Sequence, residues 1–331
     1  MQVQTIQPSR PRATAEKRKI NVAFFSDILM RDFDGANKTM FQLIDRIPES
    51  EYHYMFFCGM SSSDNAKHVV KEVPTLTIPS NNTYKVALPN LYKCDVTYVP
   101  TKQIAKELEQ SGVSSRNFKL WQRGINTSLF SPQKRDRLFM QELTGNDYPT
   151  LLFVSRLVWE KNLETLFEIY DRVQELGLKV NFLVAGDGVA EKVARSRMKN
   201  AFFLGYLEHE ALAAVYASSD IFVFPSISEA YGNVVIEAMA SGCVPVIAQG
   251  GGSQALVEDG VTGFLCEPNE ADEYIENIKK LLNTPFLRKK MQAEGLKFTA
   301  TLSWENLSKE YFNDIEILAN YSRNLQRKES V

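Results

Sequence analysis

Two carboxylates, Glu229 and Glu237, flank a turn that holds Gly232 and the expected start of a helix at Asn233. Glycine before a helix lets backbone approach a ligand closely. The free N–H groups of the first helical turn, together with the helix dipole, favour an anion such as phosphate. Asn233 suits an N-cap or a donor to that phosphate. A carboxylate accepts hydrogen bonds and repels phosphate, so beside an anion site Glu229 and Glu237 must meet hydroxyl groups, as on a sugar or a ribose. Arg156 and Lys161 supply the matching positive charge. Placed just after an apolar strand, they could clamp a diphosphate and neutralise a leaving group. Taken one at a time, the same residues describe a capped surface helix and a solvated loop.

These residues need a frame that brings strand ends together, and the second half of the chain reads as one. Short apolar runs at Leu151–Val154, Val180–Ala185, Ala201–Leu204, Ile221–Phe224 and Val244–Ala248 alternate with helical stretches over Leu163–Leu176, Val189–Met198, Glu210–Ala217 and Asn233–Ala240, with a further one over Gln254–Glu258. Near-continuous Val, Ile, Leu and Phe in short strands indicates a parallel sheet covered on both faces, a doubly wound α/β domain. Gly177 and Gly242 stand where helices should stop. The first half opens in the same style, with a strand at Lys19–Ser26, a helix over about Ala36–Ile47 and strands at Tyr54–Cys58 and Leu76–Ile78. Val96–Val99, a helix over Lys102–Gly112 and Lys119–Trp121 follow. Residues 304–321 place Leu307, Tyr311, Ile315 and Leu318 at helical spacing and should pack across the domain boundary or onto the first domain.

The chain has 331 residues, 44% hydrophobic and 24% charged, an ordinary globular profile with room for two domains. Its net charge of −2 hides an asymmetry: residues 1–147 hold 20 Lys/Arg against 15 Asp/Glu, and the remainder 18 against 25. A basic first half is compatible with an anionic membrane surface, or with chance. No feature points to nucleic acid. Cys58, Cys94, Cys243 and Cys266 are scattered without metal-ligand spacing, and the last two lie among apolar residues, as buried reduced thiols do. Residues 1–18 read as a disordered basic leader without the apolar run of a signal peptide. The expected location is cytoplasmic, with a peripheral place on the inner face of the membrane as an option.

Phe153-Val154-Ser155-Arg156-Leu157, Glu160-Lys161-Asn162, Val184-Ala185-Gly186-Asp187-Gly188, Phe203-Leu204-Gly205-Tyr206 and Ser226…Glu229…Glu237-Ala238-Met239-Ala240-Ser241-Gly242 run in one order. Together they resemble the signature of the family-4 retaining glycosyltransferases (glycosyl transferases group 1). The resemblance implies the GT-B fold, two Rossmann-like doubly wound domains facing a cleft, and a nucleotide-diphosphate sugar, UDP- or GDP-linked, as donor. It implies that Arg156 and Lys161 hold the donor diphosphate, that Glu229 meets the transferred sugar and that Glu237 meets the ribose. Backbone groups of Tyr231, Gly232, Asn233 and Val234 would meet the sugar and β-phosphate, and Tyr206 would border the base. Gly186 belongs to the same donor side, as does Gly35, in a glycine loop after Phe25-Ser26-Asp27. Asp27, Arg123 and Asn126 fall on the acceptor side. Trp121-Gln122-Arg123-Gly124-Ile125-Asn126 resembles relatives that glycosylate lipids, so the implied acceptor is a lipid or glycan hydroxyl. No metal and no cofactor are implied.

The pattern breaks near residues 90–94, where the family has about two further strand-helix units lining the acceptor. The expected domains are therefore a shortened N-terminal one over 19–146, a nucleotide-sugar-binding one over 147–303 and a closing helix over 304–325. The alternative to an active hexosyltransferase is a non-catalytic or weakly active homologue that binds nucleotide sugar. His53, His68 and His209 do not replace the lost acceptor wall.

Overall fold

In a computed structural model, the protein is described at residues 19–29, 35–61, 69–72, 95–110, 112–229 and 231–329. The chain folds into two compact units, one of residues Met1–Ser80 and Glu310–Val331, the other of Asn81–Lys309.

The first unit contains β1 (Ile20–Leu29), α1 (Gly35–Ile44), β2 (Tyr52–Ser61) and β3 (Val69–Glu72). The strands form a parallel sheet in the order β1-β2-β3. The expected strand at Leu76–Ile78 lies outside the described residues. Phe41, Ile44, Tyr52, Tyr54 and Phe56 form a core that is closed by Phe312, with Tyr311 and Ile315 packed against it. The Tyr52 hydroxyl donates to the Phe312 carbonyl at 2.8 Å. The amphipathic C-terminal stretch thus packs on the first unit through residues past Glu310.

The second unit begins with β4 (Thr97–Val99), α2 (Lys102–Gln110) and β5 (Phe118–Leu120), where β4 and β5 pair in parallel, and α3 (Arg137–Thr144). Then β6 (Thr150–Val154), α4 (Leu163–Glu175), β7 (Asn181–Ala185), α5 (Glu191–Arg197), β8 (Phe202–Gly205), α6 (His209–Ser218), β9 (Ile221–Phe224), α7 (Asn233–Ala240), β10 (Val244–Ala248) and β11 (Phe264–Cys266) alternate. Helices α8 (Ala271–Asn283), α9 (Pro285–Thr301) and α10 (Trp304–Glu329) close the chain. The expected helix at 254–258 is only a short 3-10 turn over Ser253–Leu256.

Six parallel strands line up as β11-β10-β9-β6-β7-β8. Every residue of β6, β7, β9 and β10 is buried, which is why these strands read as continuous apolar runs rather than alternating ones. The order reverses between β6 and β9, the two strands that pair at Leu151–Ile221 and Leu152–Phe222. In such sheets the crevice beyond the carboxyl ends at the reversal is where ligands bind.

Residues 95–146 pack with the second unit, whereas the sequence reading placed them in the first domain. The Trp121 indole donates to the Leu307 carbonyl at 3.1 Å and its ring lies 6.2 Å from that of Trp304. Gly124 lies beneath the Trp304 ring, with no room for a Cβ, and Ile125 N–H bonds the Leu302 carbonyl at 2.8 Å. The Trp121–Asn126 motif is therefore a packing device that fastens this segment to the start of α10.

Backbone joins the carboxyl ends of β6, β7 and β8 directly. Ser155 N–H bonds Ala185 O at 3.1 Å, Leu157 N–H bonds Asp187 O at 2.6 Å, and Gly186 N–H bonds Gly205 O at 2.7 Å. Gly186 has φ 119°, and a Cβ there would overlap the Ser155 carbonyl. Gly186→Ala should therefore lower the unfolding free energy by roughly 2–4 kcal/mol, read as a shifted urea midpoint; an unchanged midpoint would contradict this close approach.

Cys243 and Cys266 are buried free thiols. Burial raises Cys266 to about 12 and Cys243 further. It also raises the phenols of Tyr216 and Tyr274 well above 10.0. Unfolding would let these groups ionise at their ordinary 9.0 and 10.0. The stability they hold is thus fully present below about pH 9 and is lost as pH rises toward their folded values. The urea midpoint should fall steadily between about pH 9 and about pH 11; a flat profile would contradict the burial of these groups.

Candidate functional site

The crevice at the strand-order reversal is built by the segments that leave β6 and β9. After β6 the chain passes Ser155–Val158 and makes one 3-10 turn, Trp159–Lys161, before α4. Asn162 joins turn to helix with φ 55°, the one described non-glycine residue with positive φ. Asparagine tolerates this left-handed conformation better than most residues. Its amide nitrogen lies 3.2 Å from the Pro225 carbonyl, 2.9 Å from the Pro268 carbonyl and 3.1 Å from Asn269 Oδ1, while its oxygen accepts from the Thr165 hydroxyl at 3.1 Å. Pro225 directly follows β9, so Asn162 ties the exits of the two central strands together.

That tie sets Lys161. Its side chain is 9% exposed, and Nζ donates to Glu229 Oε1 at 2.5 Å and to Ser228 Oγ at 3.1 Å. Ser228 Oγ lies 3.1 Å from Ser226 Oγ, itself buried. Lys161 and Glu229, separated by most of a Rossmann half in sequence, are one hydrogen-bonded unit. The sequence reading gave them separate tasks and missed the pairing. Arg156, the other half of the expected clamp, stands on the exposed loop and pairs with Glu160 at 2.9 Å, an exposed contact of little energetic consequence.

The segment after β9 is braced from behind by Gly250-Gly251-Gly252-Ser253, which the sequence reading did not single out. Gly252 N–H bonds the Glu229 carbonyl at 2.6 Å. Gly251, φ 61°, runs so close to the Ile227 carbonyl that a Cβ would collide with it. Gly232, φ 91°, packs on Ser253 and is the residue preceding α7. The N-cap expected of Asn233 therefore falls to Gly232, and Asn233 is the first helical residue. No side chain caps this helix. Asn233 Oδ1 is buried with no hydrogen-bond partner. Glu237 lies one turn on, on the same face of α7, and accepts from the fully buried Tyr216 hydroxyl at 3.3 Å.

Tyr231 is buried, and its hydroxyl donates to the Arg123 carbonyl at 3.3 Å beneath the Arg123 guanidinium, 5.7 Å from the ring centre. Burial pushes this phenol up to about 12. Its side chain is an anchor, which leaves only its backbone for a ligand. Asn126 Oδ1 accepts from Ser128 N–H at 3.1 Å and Leu129 N–H at 3.2 Å, so it holds a turn. Tyr206, 66% exposed, follows edge strand β8, two strands and about 10 Å from β6. Val234 is half-buried in the first turn of α7. Asp27 on β1 and Gly35 at the start of α1 belong to the first unit. The side chain of Asp27 is outside the described residues, as is the loop before Gly35. His53 and His209 are exposed on β2 and α6, and His68 lies outside the described residues.

Residues 134–298, from the approach to α3 through most of α9, match the family described as Glycosyl transferases group 1. The chain belongs to the glycosyl transferases group 1. Among curated members, Arabidopsis thaliana sulfoquinovosyl transferase SQD2 is 31% identical over 218 residues, 63% of this chain and 42% of that protein. A GDP-mannose-dependent alpha-mannosyltransferase of Corynebacterium glutamicum is 28% identical over 215 residues, 65% of this chain and 50% of that one. The chain thus spans about half the length of the curated glycosyl transferases it matches. Among solved structures, Anabaena HepE in complex with UDP and glucose superposes with a TM-score of 0.71 at 15% identity, covering 89% of this chain and 98% of that one. Sucrose-phosphate synthase of Thermosynechococcus elongatus gives 0.72 at 18%, covering 91% and 99%. At such identities the likeness is one of fold, and that fold is GT-B.

Two variants test how Lys161 is held. Asn162→Ala should lower the unfolding free energy by roughly 2–4 kcal/mol, through lost hydrogen bonds and a disfavoured backbone. Asn162→Gly, which restores the backbone alone, should lose less. Equal midpoints for both variants and the parent in urea would contradict the account.

Proposed function

We propose that the chain is a retaining hexosyltransferase that takes its sugar from a nucleotide-diphosphate donor. The observation that carries this reading is the Lys161–Glu229–Ser228 unit, set at the strand-order reversal beside the uncapped start of α7. A cation and free helical N–H groups suit a diphosphate, and a carboxylate suits sugar hydroxyls. SQD2 and the mannosyltransferases, named for sugar transfer, support the reading, and so do the UDP and glucose that accompany HepE.

In this reading the diphosphate lies against Lys161 and the N–H groups of Asn233 and Val234, with Arg156 swinging in from the exposed loop. Glu229 accepts from hydroxyls of the transferred sugar and Glu237 from those of the ribose. Asn233 Oδ1, buried without a donor, accepts one more. Tyr206 borders the base, while Gly186 keeps the β7 exit flush with the site. The acceptor hydroxyl attacks the anomeric carbon on the face the diphosphate leaves. The new carbon–oxygen bond forms as the bond to the β-phosphate oxygen breaks, and the acceptor proton passes to that phosphate, so configuration is retained. The positive groups carry the leaving charge, and the mechanism calls for no metal. The acceptor is a lipid or glycan hydroxyl. A lipid acceptor would place the protein at the inner face of a membrane, held through its basic N-terminal half.

Calorimetry with UDP- and GDP-sugars tests donor binding, and a hydrolysis and transfer screen on the same compounds tests turnover. Lys161→Ala and Glu237→Ala should each weaken binding of the preferred donor by roughly 1.5–3 kcal/mol, about tenfold or more. Unchanged affinity in both would remove the site assignment. Binding with neither hydrolysis nor transfer would remove the assigned activity.

A further inference from the structure

A cavity of about 590 Å³ opens at the other end of the six-stranded sheet, where β6, β7 and β9 begin. Thr150, Asn181 and Asp220 mark those strand starts, and α3 and α9 form the walls. The cavity is separated from Lys161 by the length of β6, roughly 16 Å. Its volume lies within the range of small-molecule sites, about 300–1,000 Å³.

The charged groups around it are three arginines and three aspartates, and they are not in the same state. The carboxylates are occupied by internal donors. Asp220 Oδ2 accepts from Thr150 N–H at 3.0 Å, Asp136 Oδ1 caps α3 through Phe139 N–H at 3.0 Å, and Asp147 Oδ2 accepts from the Gln141 amide at 3.1 Å. Asn146 and Asn181 satisfy each other. The arginines are left over. Arg135 reaches Asp220 only at 3.5 Å, a long contact. Among the described residues, Arg137 on α3 and Arg288 on α9 carry no ion pair and no side-chain hydrogen bond. Arg288 is half-buried, and a charge withdrawn from water without a counterion is unfavourable.

We propose that this cavity is a binding site for a small organic phosphate monoester, distinct from the crevice at the carboxyl ends. Guanidinium groups present planar forks of N–H donors that match phosphate oxygens. Arg137, exposed on α3, and Arg288, half-buried on α9, hold such donors unused on facing walls, although the lining's arginines and aspartates balance in formal charge. The surrounding volume is larger than the phosphate alone and leaves room for its organic part, against the exposed face of Tyr148. Because β6 and β9 start at this cavity and end at Lys161 and Glu229, a ligand joining α3 to α9 here braces the same strands that carry the other site.

The test is calorimetric titration of the full chain with glycerol 3-phosphate, in the parent and in Lys161→Met, which separates this site from the crevice. One equivalent should bind in both. Adding Arg137→Gln and Arg288→Gln should weaken that equivalent by about tenfold or more. Both arginines lack partners, so the fold should survive, and circular-dichroism melting of the variants checks this. Absence of saturable binding in the parent at millimolar concentrations would overturn the proposal. So would binding that disappears with Lys161→Met, or that persists at parent affinity in the folded double arginine variant.

Discussion

The crevice at the carboxyl ends of the six-stranded sheet is organised around one ion pair held mostly out of water, Lys161 against Glu229. Withdrawing two charges from solvent is costly, and their attraction offsets that cost only when geometry is good and the remaining hydrogen-bonding capacity is used. The surroundings supply both. Ser228, backed by buried Ser226, accepts a second hydrogen bond from Lys161, and Gly252 fixes the Glu229 backbone. Asn162 accepts a left-handed conformation so that Lys161 can leave the 3-10 turn toward β9 rather than toward solvent. Under the proposed function, an incoming diphosphate competes for the lysine and incoming hydroxyls compete for the carboxylate.

The precision of that arrangement comes from backbone lying against backbone. Parallel strands deliver their carboxyl ends to one edge, but the loops leaving them must still be fixed. Gly186 presses on Ser155, Gly251 on Ile227 and Gly232 on Ser253, each at a separation that leaves no room for a Cβ. In each case the glycine serves both a left-handed conformation and a close approach. Together they hold the exits of β6, β7 and β9 close against their neighbours. Arg156, paired with Glu160 on the exposed loop, is outside this brace.

Much of this was legible in the sequence, and the rest was hidden for identifiable reasons. The buried runs of β6, β7, β9 and β10 announce a parallel sheet because both their faces are covered. Gly177 and Gly242 mark helix ends by the left-handed turns they adopt, with φ of 59° and 88°. Segment order made Arg156, Lys161, Glu229 and Glu237 recognisable as a set. What the order did not disclose was contact. Lys161 with Glu229, and Asn162 with Pro225 and Pro268, are long-range meetings that no local period encodes. The helix start at 233 was foreseen, but its cap was misassigned by one residue, since Asn233 resembles a cap and Gly232 acts as one. The Trp121–Asn126 motif looked like a mark of acceptor chemistry. Its tryptophan and glycine instead serve contact with Trp304 and Leu307, which is also why the second unit extends so far toward the N-terminus.

The central claim, that Lys161 and Glu229 act as one unit dividing phosphate from sugar, is tested most directly by calorimetry on Glu229→Gln. The nucleoside diphosphate alone and the corresponding nucleotide sugar should be titrated in parallel. Neutralising Glu229 frees Lys161 from its internal counterion, so the bare diphosphate should bind as tightly as in the parent or more tightly. The nucleotide sugar should bind about tenfold or more weakly, because the charged acceptor for its sugar hydroxyls has become a neutral amide with a single acceptor oxygen. Equal weakening of both ligands would contradict the division of roles, as would no change in either.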